Sequence, residues 1–352
     1  MKIKEGLILV FLAGSCILSA GGDVKVAIDA EKVLQEARTW NAEKAEQIEV
    51  YLKNTPDDPL QRSILAAYYF ASVHKDQSLR LKKNQNILWM IEHYPQLAIL
   101  RDPAFRINPL LEGKENYRKG CELWDAHLKK NPSNAVIAAN AASYFLDSER
   151  EKAERYYLKA RELAPKNPLY AWNLASLYFQ PAGVLEGIEM ESAKKALKHY
   201  KDAYQLSDLT TRSRYLPTLV KAAWYAEDFK QLEIFAADMK KMLESDPKGN
   251  QGNLIFWTNT AYGLLAVHKG NYKDAADYLL KSAETPGSSR LNSFGPNMLL
   301  ARAVLEHGDK ESVLKFFAQC ERFWKIGKKQ MGRWVKDMQL GDMPNFGAHL
   351  YY

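Results

Sequence analysis

Residues 134–165 read NAVIAANAASYFLDSEREKAERYYLKARELAP. Apolar side chains return at helical intervals along this stretch, without the sustained two-residue alternation that a half-buried strand requires. Small residues stand at Ala141 and Ala153, where two helices of one hairpin have to approach closely, and Tyr144 and Tyr157 supply the bulk that fills the space beside them. Ala160 continues the same spacing, and Pro165 closes the stretch because proline cannot continue a helix. The expectation is a helical hairpin.

The pattern recurs. From Pro168 the chain places Leu174, Ala175 and Tyr178 in the corresponding positions, is interrupted by QPAGVLEGIEME, and resumes with Ala196, Tyr200 and Ala203. A third copy carries Gly263, Gly270, Tyr272 and Ala275, and a fourth Ala301, Gly308, Val313 and Phe317. A period of about 34 residues with small residues and aromatics in this register resembles the tetratricopeptide repeat. The segments NILWMIEHYP, NAASYF, TPGSSRLNSFGPNM, CERFWKIGKKQM and MPNFGAHLYY together resemble a group of full-length bacterial tetratricopeptide proteins of unassigned function. The resemblance implies an all-α fold, with helical-hairpin repeats stacked into a right-handed α-solenoid. Less regular copies are expected around it: Gly120, Trp124, His127 and Pro132 resemble a second helix alone, Tyr215 to Met242 a unit with a bulkier interior, and Leu60 to Tyr94 a hairpin in no clean register. End units of such arrays depart from the pattern because one face meets water instead of a neighbour.

The Gly-, Ser- and Pro-rich run TPGSSRLNSFGPNM, starting at Thr285, looks at first like a phosphate-cradling loop. Its glycines, Gly287 and Gly295, lack the G-x-x-x-x-G-K-[ST] spacing, no lysine follows, and a helix precedes. The run therefore reads as a joint between two repeats, with Pro286 stopping one helix and Gly287 free to take a positive φ.

At 352 residues, with 47% apolar and 26% charged residues, the chain is long and apolar enough to fold. A formal charge of +7 suits an anionic neighbour but says nothing of the fold. The N-terminus has Lys2 and Lys4, an apolar run from Gly6 to Ile17 and then small residues, the layout of an export signal over residues 1–21 and too short for a membrane span. Ala13-Gly14-Ser15-Cys16 resembles a bacterial lipoprotein box, in which the signal would end at residue 15 and Cys16 would be lipidated, although Ala13 stands where that pattern has leucine. Small residues around Ala20 and Gly21 offer the rival cut, which releases a soluble protein. Beyond the signal, the chain divides into degenerate hairpins over 23–113, repeat units over 114–209, one with the inserted loop, further units over 210–320, and a C-terminal capping helix and tail over 321–352. The expected location is the periplasm or cell envelope.

Chemistry is sparse. The seven histidines form no H-E-x-x-H, there is no Cys-x-x-Cys and no serine in G-x-S-x-G, so neither a metal, a cofactor nor a catalytic role is expected. Cys121 and Cys320 read as buried thiols. The resemblance implies that first helices line a concave face. There Trp172, Asn173, Ser176, Phe179, Lys221, Trp224, Thr260, Leu264 and His268 would hold a protein or peptide partner. Family members that clamp a C-terminal carboxylate carry Lys and Asn where this chain has Ala138 and Ala142, or Trp172 and Ser176, so that clamp is not expected. The alternative for Trp172 and Trp224 is packing against an adjoining helix. A second interaction class rests on FWKIGKKQMGRWVKDM, where Lys325, Lys328, Lys329, Arg333 and Lys336 would meet lipid headgroups or acidic cell-wall polymer. In the same stretch Trp324, Ile326 or Gly327, Met331 and Trp334 trace an apolar stripe suited to a capping helix. Export makes nucleic acid an improbable partner.

Overall fold

A computed structural model describes residues 17–18, 24–25, 28–181, 187–245 and 251–351. Extended pairing among these is confined to Ile17–Leu18 against Val24–Lys25, and everything else ordered is helical. Cys16 and most of the expected signal lie outside the described residues. No described helix is long and apolar enough to cross a membrane. The chain folds as two units, Met1–Lys166 and Asn167–Tyr352, divided between Pro165 and Pro168, inside the block 114–209 that the repeat register treats as continuous.

The first unit holds α1 (Ala30–Thr39), α2 (Ala42–Asn54), α3 (Pro59–Ser72), α4 (Leu79–His93), α5 (Pro109–Glu112), α6 (Lys114–Lys130), α7 (Ala135–Phe145) and α8 (Arg150–Leu163). Side-chain caps set several starts: Asp29, Asn41, Asp58 and Asn134 each accept from backbone N–H groups that the first turn leaves unpaired. α3 pairs with α4, and α7 with α8. Ala141, Ala153 and Ala160 are fully buried in the second pair, as their spacing predicts, with Tyr144 and Tyr157 beside them. Gly120 of α6 is needed for the same reason: a Cβ there would lie 2.1 Å from the Tyr144 hydroxyl. That hydroxyl donates to the Tyr117 carbonyl at 3.0 Å, and the two tyrosine rings stack at 5.3 Å.

Residues 94–113 depart from the expected hairpins. They form two 3₁₀ turns, Ala98–Arg101 and Pro103–Phe105, and then α5, and they bury Ile99, Phe105 and Ile107. The cause is polar. Asn140 of α7, wholly buried, donates to the carbonyls of Pro95 at 2.7 Å and Leu97 at 3.0 Å and accepts from Arg101 at 2.8 Å. From α4, Lys83 donates to the Arg106 carbonyl at 3.2 Å and pairs with Glu112. These bonds take the place of a backbone ladder in a segment with little regular structure.

The second unit holds α9 (Pro168–Tyr178), α10 (Met190–Leu206), α11 (Leu209–Tyr225), α12 (Phe229–Ser245), α13 (Gly252–His268), α14 (Tyr272–Ser282), α15 (Ser289–Phe294), α16 (Leu299–Glu306), α17 (Lys310–Cys320) and α18 (Lys328–Leu340). Sequential helices pack as pairs, α9 on α10, α11 on α12, α13 on α14, and α16 on α17. Ala175, Ala196, Ala275, Ala301 and Val313, placed by the spacing at the close approaches, are fully buried. The stretch from Thr285 is the joint it was expected to be. Gly287 has φ 87°, the Thr285 hydroxyl donates to the Gly252 carbonyl at 2.6 Å, and the extra residues wind into the short α15.

The C-terminal region corrects the expected capping helix. Trp324 is followed by a 3₁₀ turn, α18 begins only at Lys328, and Ile326 is 75% exposed. Gly327 takes the inward place because the Trp324 ring lies against it, 2.1 Å from where a Cβ would stand. Met331, Trp334 and Met338 form the buried stripe, and Lys325, Lys328, Lys329, Arg333 and Lys336 are all exposed. After α18 the chain turns at Gly341 (φ 88°) and folds back, burying Pro344, Phe346 and Leu350.

Candidate functional site

The nine residues expected to line a concave face fall on α9, α11 and α13 of the second unit. They do not form one surface. Trp172 of α9 stacks on Tyr215 of α11 at 3.7 Å and packs on Tyr200 of α10 at 4.5 Å, so the adjoining-helix alternative describes one side of this ring while the residue stays half-buried. The Ser176 hydroxyl lies 3.2 Å from the Tyr200 hydroxyl, and Phe179 meets Tyr200 and Tyr225 edge to face at 5.9 and 6.0 Å. Burial raises the pKa of the Tyr200 hydroxyl, so it stays a neutral donor. Asn173 is half-buried on the same helix. One aromatic cluster thus runs through Trp172, Tyr215, Tyr200, Phe179 and Tyr225.

A second cluster centres on Phe229. Trp224 packs on it edge to face at 5.8 Å, and the exposed His268 stacks on it at 3.5 Å. These two predicted residues come together through a ring that the spacing argument did not select.

The other predictions move inward. Leu264 is fully buried, and the Thr260 hydroxyl donates to the Phe256 carbonyl of its own helix at 2.8 Å, so neither presents a surface. Phe179 is buried as well. Lys221 is 2% exposed and donates to the Tyr351 carbonyl at 2.7 Å, with its ammonium 5.5 Å from the Trp257 ring. Burial, reinforced by the charge of Arg290, pushes its pKa down to about 7. Assigning these positions to an open face assumed that nothing covered α11 and α13. The tail covers Lys221, and the inter-helix core takes Thr260 and Leu264.

Sequence reasoning passed over two concavities. In the first unit a cleft of about 810 Å³ lies between α6 and α8, lined by Asp125, Lys129, Glu151, Arg155, Lys159 and Glu162 around Leu128, Tyr156 and Leu158. In the second unit a smaller one of about 550 Å³ sets Lys194, Lys198 and Lys201 of α10 opposite Glu227 and Asp228. Alternating charges on helical surfaces signal only a solvated face, so neither stands out in the sequence.

The two described cysteines, Cys121 and Cys320, are not poised as nucleophiles. Cys121 is half-buried and points its thiol at Glu149, 3.6 Å away. Burial first, then the Glu149 charge, pushes its pKa up to about 12. Burial likewise raises Cys320 well above the ordinary thiol range. Nucleophilic cysteines need the opposite shift. Among the described residues no three His, Cys, Asp or Glu side chains converge as a metal site. Compared with known protein families and with characterised proteins, the chain matches none.

Proposed function

We propose that this protein is a non-catalytic interaction scaffold, exported to the periplasm or cell envelope, whose paired helices are tetratricopeptide-type repeats in a right-handed solenoid. Its partner is a protein or peptide segment received by the first helices of the second unit. The supporting observation is the aromatic row along α9, α10 and α11, where Trp172 and Tyr215 stack face to face yet keep part of their surface in water. Half-exposed aromatics in a preformed cluster add contact area at low entropic cost, and such side chains dominate binding energy at interfaces. Trp224 and His268 on Phe229 offer a second anchor. Lipidation at Cys16 would hold the scaffold at the membrane. Labelled palmitate entering the natural chain and not Cys16→Ala tests it, and a soluble mature protein starting after Gly21 removes the anchor.

Affinity capture from the exporting cell tests the scaffold reading. Trp172→Ala and Trp224→Ala should each weaken capture by about 2 kcal/mol or more while helicity is retained. Unchanged capture by both would remove the proposed face. The basic row over Lys325–Lys336 favours a second reading, binding to anionic surfaces, because all five of its cations, Lys325 in the 3₁₀ turn and Lys328, Lys329, Arg333 and Lys336 on α18, are exposed. Under that reading, charge reversal at Lys328, Lys329 and Arg333 abolishes binding to anionic vesicles and added salt weakens it steeply.

A further inference from the structure

The tail after α18 is held largely through its main chain. Residues 339–343 are all exposed and contain the left-handed Gly341, so the link to α18 is a solvated turn. Beyond it the groove addresses the tail's main chain. The Trp334 indole donates to the Asn345 carbonyl at 3.0 Å, the Met298 N–H to the His349 carbonyl at 2.8 Å, and the Lys221 ammonium to the Tyr351 carbonyl at 2.7 Å. Side chains enter at intervals. Phe346 packs edge to face on Trp334 at 5.1 Å, Leu350 is buried, and Tyr351 stacks on Tyr225 at 6.0 Å. The His349 ring sits between Trp324 and Trp334 at 5.0 and 4.9 Å, its Nδ1 3.3 Å from the Pro296 carbonyl.

Gly347–Leu350 forms a 3₁₀ turn, so the groove holds a turned peptide, with donors to carbonyls supplying affinity and pockets for spaced side chains supplying selectivity. The donors come from α11, α18 and the start of α16, which are distant in sequence, and the occupant is joined to α18 by an exposed link. Among the described residues Lys221 is buried against it with the Tyr351 carbonyl and the Trp257 ring as partners, so seating the tail desolvates a cation.

We infer that residues 344–351 are a releasable intramolecular ligand, and that the site they occupy receives a partner peptide that makes the same turn, with an aromatic and an aliphatic residue spaced as Phe346 and Leu350 are. The inference rests on the scaffold reading and deepens it, since it names the form of the partner and makes tail release the step before binding. Attachment keeps the tail at high effective concentration, so only a segment that binds better, or arrives in excess, displaces it.

The test inserts a site-specific protease sequence between Leu340 and Gly341 of the full chain and cuts after folding. The cut protein should keep its helical circular dichroism and take up a fluorescent peptide of residues 341–352 saturably. A peptide carrying Phe346→Ala and Leu350→Ala should bind about thirtyfold more weakly. The uncut chain should take up little at the same concentrations. No uptake by the cut protein after a day in excess peptide, loss of helicity on cutting, or equal uptake by uncut chain would each overturn the inference. Should the insertion prevent folding, hydrogen exchange on the unaltered chain decides. The Met298 amide should exchange at least about a hundredfold faster than that of Leu264, as a locally opening site does, and equal protection would make the tail a fixed part of the core. Because the probe is the chain's own segment, uptake reports on the tail alone. Uptake without any groove-dependent partner leaves the release of the tail standing and removes both the partner peptide and the scaffold reading.

Discussion

Both units cover a helix face with a segment that is mostly not α-helical, and both pin it with a buried polar side chain that donates to main-chain carbonyls. In the first unit the segment is 94–113, held by Asn140 and Lys83. In the second it is the tail, held by Lys221. The difference lies in what balances the buried cation. Lys83 has Glu112, which also accepts from the Asn108 N–H at 3.2 Å, and the segment is continuous with helices at both ends. Among the described residues Lys221 has a carbonyl and the Trp257 ring, on a segment joined to α18 by an exposed turn. An ion pair with both partners buried is rigid because removing either leaves an uncompensated charge. Among the described residues a carbonyl and a ring compensate the Lys221 cation less than a carboxylate would. The first cover is therefore structural, and the second is suited to release.

The largest effect should come from breaking the first cover. Glu112→Ala leaves Lys83, 2% exposed, without its partner, and urea unfolding should show a loss of about 3–5 kcal/mol. If Glu112→Ala unfolds no more readily than the natural protein, the two covers do not differ as described. Next in size, Ala153→Trp overpacks the α7–α8 approach, where Ala153 has no exposed surface, and should cost about 1–3 kcal/mol. An unchanged melting temperature would show that the close approach has been misplaced.

The pH dependence reports on the buried lysines, since burial lowers the pKa of both Lys83 and Lys221. Lys221 has a folded pKa near 7, depressed by burial, against about 10.4 for an unfolded lysine. Between those values the unfolded chain binds the additional proton, so stability rises with pH, by at most about 1.4 kcal/mol per pH unit, and below the folded pKa the contribution is flat. Above about pH 10 the buried tyrosines Tyr200 and Tyr225 reverse the trend, because their raised pKa values let the unfolded chain ionise first. Urea midpoints should climb from pH 7 toward 9.5, and Lys221→Met should flatten the climb. A slope that survives the substitution would assign it elsewhere. The smallest effect is expected at the α18 surface. Reversing charge at Lys328, Lys329 and Arg333 should leave stability within about 0.5 kcal/mol per substitution, because these side chains are exposed.

The sequence by itself determined the all-helical class, the pairing of helices from 134 onward, and the nature of the stretch from Thr285. Small residues and aromatics at fixed intervals act through neighbours on the same or the next helix, so their meaning is local. Ala141, Ala153, Ala196 and Ala275 are buried where the spacing put them, and Gly287 has the positive φ its turn requires. Burial of Lys221, Thr260 and Leu264 was not legible, and neither were the roles of Asn140 and Lys83. Each depends on what lies across from the helix, and for Lys221 that is a residue 130 positions away. A polar side chain on a helix is solvated or buried according to whether another segment supplies carbonyls to pair with it, and no local pattern records that supply. Tertiary structure alone decided which faces stayed open, because a face is closed by chain that returns from elsewhere.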